Sequence, residues 1–539
     1  MHRIIHRSLF VVIALALALP LTGPALGQEL KVVTIGLAGE PTNLDPRNYT
    51  YTTSTFAVSW QIYEPLIYHD TRTDTLLAGL AESWEQLDED SYQFNLRQGV
   101  TWHDGEPFTA EDVAWTFTHI PFQVQQYDLN PDNPVEIVDD HTIIINTNGP
   151  VGYFLRQTVA LNVRIMAEHV MEPFYTEVRN MEFEETTDEE GNVVTAEEQR
   201  AQALYEINRG EAWTEPPYIG TGPFMFNSWE RGVEIVLDAN PNYWGGRPNV
   251  DRLIYRWVEE DTSRLIGLEA GDFDLVVDFP ESEVERLMGE PNITVLASPG
   301  LGYHMLTMNT ITPGLDDVRV RRAIAYAINQ EELMELYPGT VTRTCGPLSV
   351  NSSFYNEGVN CYDYDPDMAR QLLAEAGWDG SITFTLKTIP TWTDEALLIQ
   401  QYLADIGIAV EVQEVEPGSY YTEVRSGESE LALYGFGNIV DPDHIYWVFH
   451  NEWLGGRIFN YNSERVNELT VLGKTVTDPE ERAAIYDEVQ QIIVDDAIAV
   501  FLYSADYLRA YRSDRLTGLE EMPNPTDVFY WLRSVDIVE

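Results

Sequence analysis

The sequence predicts an α/β protein, because segments with strand-like and helix-like patterns alternate along most of its length. Strand-like runs include Val32 to Leu37, Ile143 to Asn146 and Ala409 to Val412. Helical periodicity is seen between these runs, for example in the apolar stripe of Ala396 to Ile406, which ends before Gly407. Alternation of this kind is typical of sheets that are covered by helices.

Length and composition indicate several folded domains with a strongly anionic surface. The chain has 539 residues, of which 44% are hydrophobic, so it can bury large cores and is expected to form two or three domains. Its formal net charge is −56, and such a surface repels nucleic acid and anionic lipid. We interpret the acidic, lysine-poor composition as adaptation to salt, the alternative being recognition of a cationic ligand.

Residues 1–27 have the pattern of a secretory signal peptide. Arg3 and Arg7 precede the apolar run Leu9 to Leu19, and the small-x-small sequence Ala25 to Gly27 predicts cleavage before Gln28. A membrane anchor is the alternative, but the run is about 11 residues long and a bilayer-spanning helix needs about 20. Because no cysteine for lipid attachment follows the run, we expect a soluble periplasmic protein.

The two cysteines, Cys345 and Cys361, are close in sequence. In an exported chain this spacing predicts a disulfide, which would restrict the unfolded chain by about 3 kcal/mol. Two free buried thiols are the alternative.

The stretch LRQGVTWHDGEPFTAEDVAWTF, residues 96–117, combines a histidine with several acids. This inventory would suit a metal site or an acid and base pair. However, Asp104 and Gly105 are typical of a tight turn, and Thr109 with Asp112 matches a capping box at a helix start. We therefore expect the stretch to stabilise the fold, and we predict no catalytic residue and no metal ligand in it.

The run Tyr92 to Val113, which overlaps this stretch and is preceded by Leu80 to Trp84, resembles the signature of the family 5 solute-binding proteins. These are extracytoplasmic receptors of ABC importers for oligopeptides, dipeptides, nickel chelates and some oligosaccharides. Further matching segments follow in the family's order: Gly39 to Pro46, Gly220 to Phe224, Asn240 to Pro248, Gly271 to Leu275, Met308 to Thr310, Val318 to Asn329 and Tyr364 to Trp378. The resemblance covers nearly all of the chain after the signal segment.

The resemblance implies a two-lobe periplasmic binding protein of type II, cluster C, with an extra subdomain on the first lobe. The hinge crossings are expected near Val295 to Tyr303 and Ala499 to Ser504. The implied division is residues 1–27 as signal peptide, 28–74, 215–290 and 503–539 as lobe I, 75–214 as the extra subdomain and 291–502 as lobe II.

The loop Tyr434 to Trp447 is the strongest candidate for ligand contact, because it follows a strand-like run and is rich in glycine, aromatics and polar groups. Its aromatics could instead belong to the core. Asn438 occupies the place where peptide-binding members carry an aspartate for the peptide's amino terminus, which argues against short free peptides. The candidate ligand-binding residues are Tyr434, Phe436, Asn438, Asp441, Trp447 and, at the hinge, Tyr303.

The expected function is that of a transport receptor without enzymatic activity or cofactor. It would capture a peptide or similar small solute between its lobes as a monomer and deliver it to the ABC permease. A receptor for an oligosaccharide or for a metal chelate is the alternative, the latter suggested by His444 and His450. A secreted hydrolase is a further alternative, although the sequence has neither a Gly-x-Ser-x-Gly nor a His-Glu-x-x-His motif.

Overall fold

The computed structural model describes residues 30–46, 53–71, 73–119, 128–183, 185–187, 193–208, 217–437, 439–519 and 532–538. The predicted signal peptide and Asn438 lie outside these residues. Within them, no helix is both long and apolar enough to cross a membrane.

The described strands number 23, and most belong to three sheets. In chain order they are β1 Val32–Leu37, β2 Ile67–Asp70, β3 Thr75–Ala78, β4 Ala81–Gln86, β5 Ser91–Leu96, β6 Val135–Asp139, β7 Thr142–Asn146, β8 Thr186–Thr187, β9 Val193–Val194, β10 Phe224–Glu230, β11 Glu234–Ala239, β12 Arg252–Trp257, β13 Leu275–Val277, β14 Ile293–Ser298, β15 Tyr303–Met308, β16 Val341–Arg343, β17 Thr383–Thr388, β18 Ala409–Glu414, β19 Leu431–Phe436, β20 Ala499–Ala505, β21 Tyr507–Arg512, β22 Leu516–Thr517 and β23 Asp536–Ile537.

Helices connect and cover these strands. The α-helices are Thr53–Ile62, Ala110–Thr118, Glu168–Asn180, Ala196–Asn208, Asp261–Ala270, Val284–Met288, Val318–Ala327, Gln330–Met334, Pro366–Ala376, Thr393–Asp405, Pro417–Arg425, His444–Phe449, Glu464–Thr475 and Pro479–Asp495. Wider π-type turns form Phe154–Asn162 and Gly455–Phe459, and short 3-10 turns form Glu281–Glu283 and Pro390–Trp392.

Two large sheets form the two lobes, each with its own buried apolar cluster. The sheet of the first lobe has the order β10-β11-β12-β1-β13-β21-β14, and that of the second lobe has the order β16-β20-β15-β19-β17-β18. A third sheet, β4-β5-β7-β6, belongs to the predicted subdomain and has a separate core. Because β14 joins the first sheet and β20 continues in the second sheet as far as Ala505, the chain crosses between the sheets at residues 299–302 and 506. The lobe boundaries given above stay predictions.

The acidic stretch near residue 104 has the structural role expected of it. The hydroxyl of Thr109 accepts from the amide of Glu111, and Asp112 Oδ2 accepts from the Thr109 amide at 3.0 Å, which confirms the capping box. The indole of Trp102 also donates to Asp112 Oδ2, at 3.1 Å. Burial is the main cause of the raised pKa of Asp112. The acid thus joins the helix start to the turn before it.

Two of the matching segments meet at one buried carboxylate, that of Glu64. Its oxygens accept hydrogen bonds from Thr221 at 2.9 Å, Tyr243 at 2.6 Å and the Trp244 indole at 2.8 Å. Tyr68 donates a fourth hydrogen bond at 3.0 Å. Burial raises the pKa of Glu64, and the four donors oppose that shift by stabilising its charge. These segments therefore stabilise the first lobe around a satisfied internal acid.

The two cysteines are joined. Cys345 and Cys361 form a disulfide on the second lobe, at a sequence separation of 16 residues.

Candidate ligand cleft

The hinge joins the carboxyl edges of the two sheets. In the first sheet β1 is parallel to β12 and β13, and in the second sheet β17 is parallel to β18 and β19. The pairing of β14 and β15 with their neighbours places the end of β14 and the start of β15 at these same edges. Ligands of open α/β sheets bind outside the carboxyl ends of the strands. The fold therefore places a cleft between the two edges, beside the hinge.

An aromatic cluster occupies the edge of the second sheet. Tyr303 is the first residue of β15 and Phe436 is the last residue of β19. Their ring centroids are 5.7 Å apart. The His444 ring packs 4.8 Å from Phe436 and 6.0 Å from Tyr303. Burial lowers the pKa of His444 to about 3, so the ring is neutral at ordinary pH. Tyr303 is 2% exposed, whereas Phe436 is half-buried and precedes the exposed Gly437.

The loop after β19 is pressed against the hinge. A Cβ on Gly302 would lie 2.8 Å from the Cα of Gly437 and would overlap the Phe436 carbonyl. The Cβ position of Gly437 in turn faces the hydroxyl of Tyr507, the first residue of β21, at 3.8 Å. The first residues of this loop therefore pack closely against both hinge crossings.

Asp441 is fully buried and forms a two-point ion pair with Arg482. The distances are 2.8 Å from Nη1 to Oδ2 and 2.5 Å from Nη2 to Oδ1, and both side chains are at most 3% exposed. Burial disfavours the guanidinium charge, but Asp441 more than compensates for it and the pKa of Arg482 is raised. Arg482 Nε also donates to the Gly473 carbonyl at 2.8 Å. Asp441 thus anchors the loop to the helix Pro479–Asp495.

Asp443, which sequence reasoning missed, is a second buried acid of this loop. Its Oδ2 accepts from the indole of Trp447 at 2.9 Å, while its Oδ1 has no hydrogen-bond partner among the described residues. Burial, followed by the charge of Asp441, raises the pKa of Asp443 to about 7. The sequence Asp-Pro-Asp at residues 441–443 contains both acids, but it does not show which of them has a charged partner.

The other predicted residues take different positions. Tyr434 is fully buried, and its hydroxyl accepts from Arg425 Nε at 2.7 Å. Trp447 is half-buried and packs 4.5 Å from Trp453. The structure thus brings Tyr303, Tyr434 and Phe436 into one aromatic group, while Asp441 and Trp447 hold the following turn.

A buried polar group lies behind the same edge and was also missed. Glu395, in the first turn of the helix Thr393–Asp405, accepts from Tyr337 at 3.1 Å and from Tyr503 at 3.0 Å. His304 Nδ1 lies 3.2 Å from its other oxygen, and the ring packs 4.5 Å from Trp392. Nothing local in the sequence links these positions, because they come from segments that are far apart in the chain.

The first sheet contributes a strained acid. Asp278, directly after β13, is exposed and has a φ of 53°, in the left-handed region that ordinary residues avoid. Such conformations cost free energy and are often associated with binding sites. Among the described residues, no three His, Cys, Asp or Glu side chains lie close enough to hold a metal ion. The chemistry available at the edges is apolar contact, hydrogen bonding and carboxylate charge.

Comparison with known proteins gives a consistent result. Residues 75–453 match the family described as bacterial extracellular solute-binding proteins, family 5. The heme-binding protein A of Haemophilus influenzae is 29% identical, over 93% of this chain and 91% of that protein. A probable D,D-dipeptide-binding periplasmic protein of Escherichia coli is 26% identical, over 94% of this chain and 95% of that protein.

Solved structures show the same architecture. The ABC transporter substrate-binding protein CtaP of Listeria monocytogenes superposes with a TM-score of 0.81 at 22% identity, covering 95% of this chain and all of that one. The periplasmic binding protein DppA of Helicobacter pylori, in complex with the peptide STSA, has a TM-score of 0.73 at 26% identity, covering 94% of this chain and 98% of that one. With two lobes, a cleft between their carboxyl edges and a family match over most of its length, the chain belongs to the family 5 extracellular solute-binding proteins, the substrate receptors of ABC importers.

Proposed function

We propose that the protein is a periplasmic receptor that encloses a peptide or similar small solute between its lobes and delivers it to an ABC permease. The observation that carries the proposal is the hinge, which joins the carboxyl edges of both sheets and brings the loop after β19 into contact with Tyr507. Relatives whose names describe dipeptide binding align over nearly the whole chain, which supports a peptide as the ligand. The receptor acts without catalysis, as a monomer, after removal of residues 1–27.

Within the cleft we assign ligand contact to Phe436 and Asn438, and we assign Tyr303, which is 2% exposed, to supporting Phe436 from behind. Phe436 is half-buried at the end of β19 and offers a flat apolar face, and Tyr303 packs beside it. Tyr434 and Asp441 are already bonded to Arg425 and Arg482, so we assign them to holding the loop in position. The indole of Trp447 is likewise engaged by Asp443.

The amide of Asn438 determines which chemical group we expect the ligand to place beside it. An amide both donates and accepts, as a peptide bond or sugar hydroxyl requires, but it gives no charge-assisted bond to an ammonium group. We therefore expect a ligand without a free ammonium group at this point. Asn438→Asp should weaken the natural ligand and create affinity for short free peptides.

The identity of the ligand is tested by denaturing the purified protein and analysing the released molecules by mass spectrometry. Calorimetry of the parent and Asn438→Asp proteins with dipeptide, tripeptide and oligosaccharide panels then tests the role of the loop. Tight binding of free dipeptides by the parent would contradict the role of Asn438. Binding of a nickel chelate would favour the metal-chelate alternative, and turnover of peptides or glycans would favour a hydrolase.

A further inference from the structure

We propose that Lys474 is the centre of a clasp that joins the subdomain to the second lobe and favours the closed form before ligand binds. This rests on the proposed closure of the lobes around a ligand. Lys474 lies in the last turn of the helix Glu464–Thr475, on the second lobe. Its Nζ is 2.7 Å from Asp128 Oδ2, and its carbonyl oxygen accepts from the amide of Gly152 at 2.8 Å. Asp128 and Gly152 both belong to the predicted subdomain.

Aromatic rings from both sides surround the ammonium group. Its nitrogen lies 5.2 Å from the ring centroid of Tyr446 and 5.9 Å from that of Trp447, both on the second lobe. The ring of Tyr153, on the subdomain, is also 5.9 Å away, and the Tyr153 hydroxyl donates to Asp128 Oδ2 at 2.9 Å. Cation–π attraction acts over such distances. Lys474 is therefore held between rings of its own lobe and subdomain groups that would move away from it when the lobes open.

The backbone contact at Gly152 requires glycine. A Cβ at this position would lie 2.7 Å from Arg482 Nε and would overlap the carbonyl of Val476. Since Arg482 also holds Asp441, the clasp contacts the residue that anchors the ligand loop. Closing the clasp and ordering the loop are thus coupled through Arg482.

A second contact lies beside the first. Arg156 of the subdomain pairs with Asp74 at 2.6 Å, and its guanidinium lies 5.2 Å from the ring centroid of Phe354 on the second lobe. The same Phe354 ring lies 5.6 Å from the guanidinium of Arg482. The clasp therefore extends across the interface through side chains that are separate from Phe436 and Tyr303.

The test measures the open and closed populations without ligand. Nitroxide labels are attached to Glu136→Cys in the subdomain and to Glu468→Cys on the second lobe. Pulsed electron paramagnetic resonance then measures the distance between the two labels. Lys474→Met, which keeps the apolar stem but removes the charge, should lower the closed population about fivefold or more. Gly152→Ala should have the same effect for a steric reason.

Lys387→Met is the matched control. Lys387 is 16% exposed against 19% for Lys474, and it pairs with Glu423 at 3.2 Å within the second lobe. Its replacement should leave the label distances unchanged. A thermal unfolding midpoint measured for each variant separates opening from general destabilisation.

Unchanged distances in both Lys474→Met and Gly152→Ala would overturn the clasp. Asp128→Asn, combined with Lys474→Met in a double-mutant cycle, shows whether the pair itself carries the effect. These results need no ligand, so a failure of the clasp can be distinguished from a failure of the proposed transport function. That function would instead be contradicted if no peptide or small solute compacted the parent protein.

Discussion

Replacing Asp441 by asparagine should destabilise the folded protein strongly, because it leaves the guanidinium of Arg482 buried without its partner. Removal of one member of a buried ion pair costs about 3–5 kcal/mol. Here Arg482 is 3% exposed and Asp441 is fully buried, so water cannot replace the lost contact. Nearby Asp443 offers partial compensation, since its charge also raises the pKa of Arg482. We therefore expect the lower part of that range.

The assay is equilibrium unfolding by urea, with the free energy compared between parent and variant. The pair Arg465 and Glu488 provides a control that is also joined at two points, from Nε at 2.7 Å and from Nη2 at 3.0 Å, but with both side chains about half exposed. Glu488→Gln should leave the unfolding free energy indistinguishable from that of the parent, because exposed pairs are screened by solvent. The comparison isolates the contribution of burial.

A specific result would refute this reasoning. If Asp441→Asn kept the parent's unfolding free energy but abolished ligand binding, Asp441 would be a direct ligand contact rather than an anchor of the loop. Loss of both stability and ligand binding would agree with the anchoring role of Asp441.

Three further predictions concern the surface charge, the buried Asp443 and the disulfide. At a net charge of −56 the like charges of the folded state repel one another, so the thermal midpoint should rise between about 0.01 and 1 M NaCl as the Debye length falls from about 30 to 3 Å. A flat midpoint would contradict the interpretation as salt adaptation. The pKa of Asp443 is raised to about 7, so its stabilising contribution is complete below the unfolded pKa of about 4 and is lost as pH rises through 7. The thermal midpoint of Asp443→Asn should therefore rise relative to that of the parent between about pH 4 and pH 7, and a constant difference would contradict the shift. Replacing both Cys345 and Cys361 by serine should lower the unfolding free energy by about 3 kcal/mol, measured by urea unfolding against the oxidised parent, and an unchanged value would show that the loop is already restricted in the unfolded chain.

Local patterns were sufficient to predict many elements. The alternating run Val32 to Leu37 coincides with β1, and the capping box at Thr109 begins the helix Ala110–Thr118. These features depend on neighbours a few residues away, so periodicity and capping chemistry describe them well. The ordered motifs were likewise sufficient to indicate the family, which the match over residues 75–453 confirms.

Only the tertiary structure decided which polar residues are paired, because burial and partnership arise between distant segments. Glu64 receives three of its four hydrogen bonds from residues 157 to 180 positions away, and Asp441 meets Arg482 across 41 positions. In the sequence, Asp441 and Asp443 are two equivalent acids of one loop. In the fold, Asp441 is paired with a guanidinium, whereas Asp443 has a raised pKa and one oxygen without a hydrogen-bond partner in the described part of the chain. The free energy of a buried charge depends on the groups packed around it.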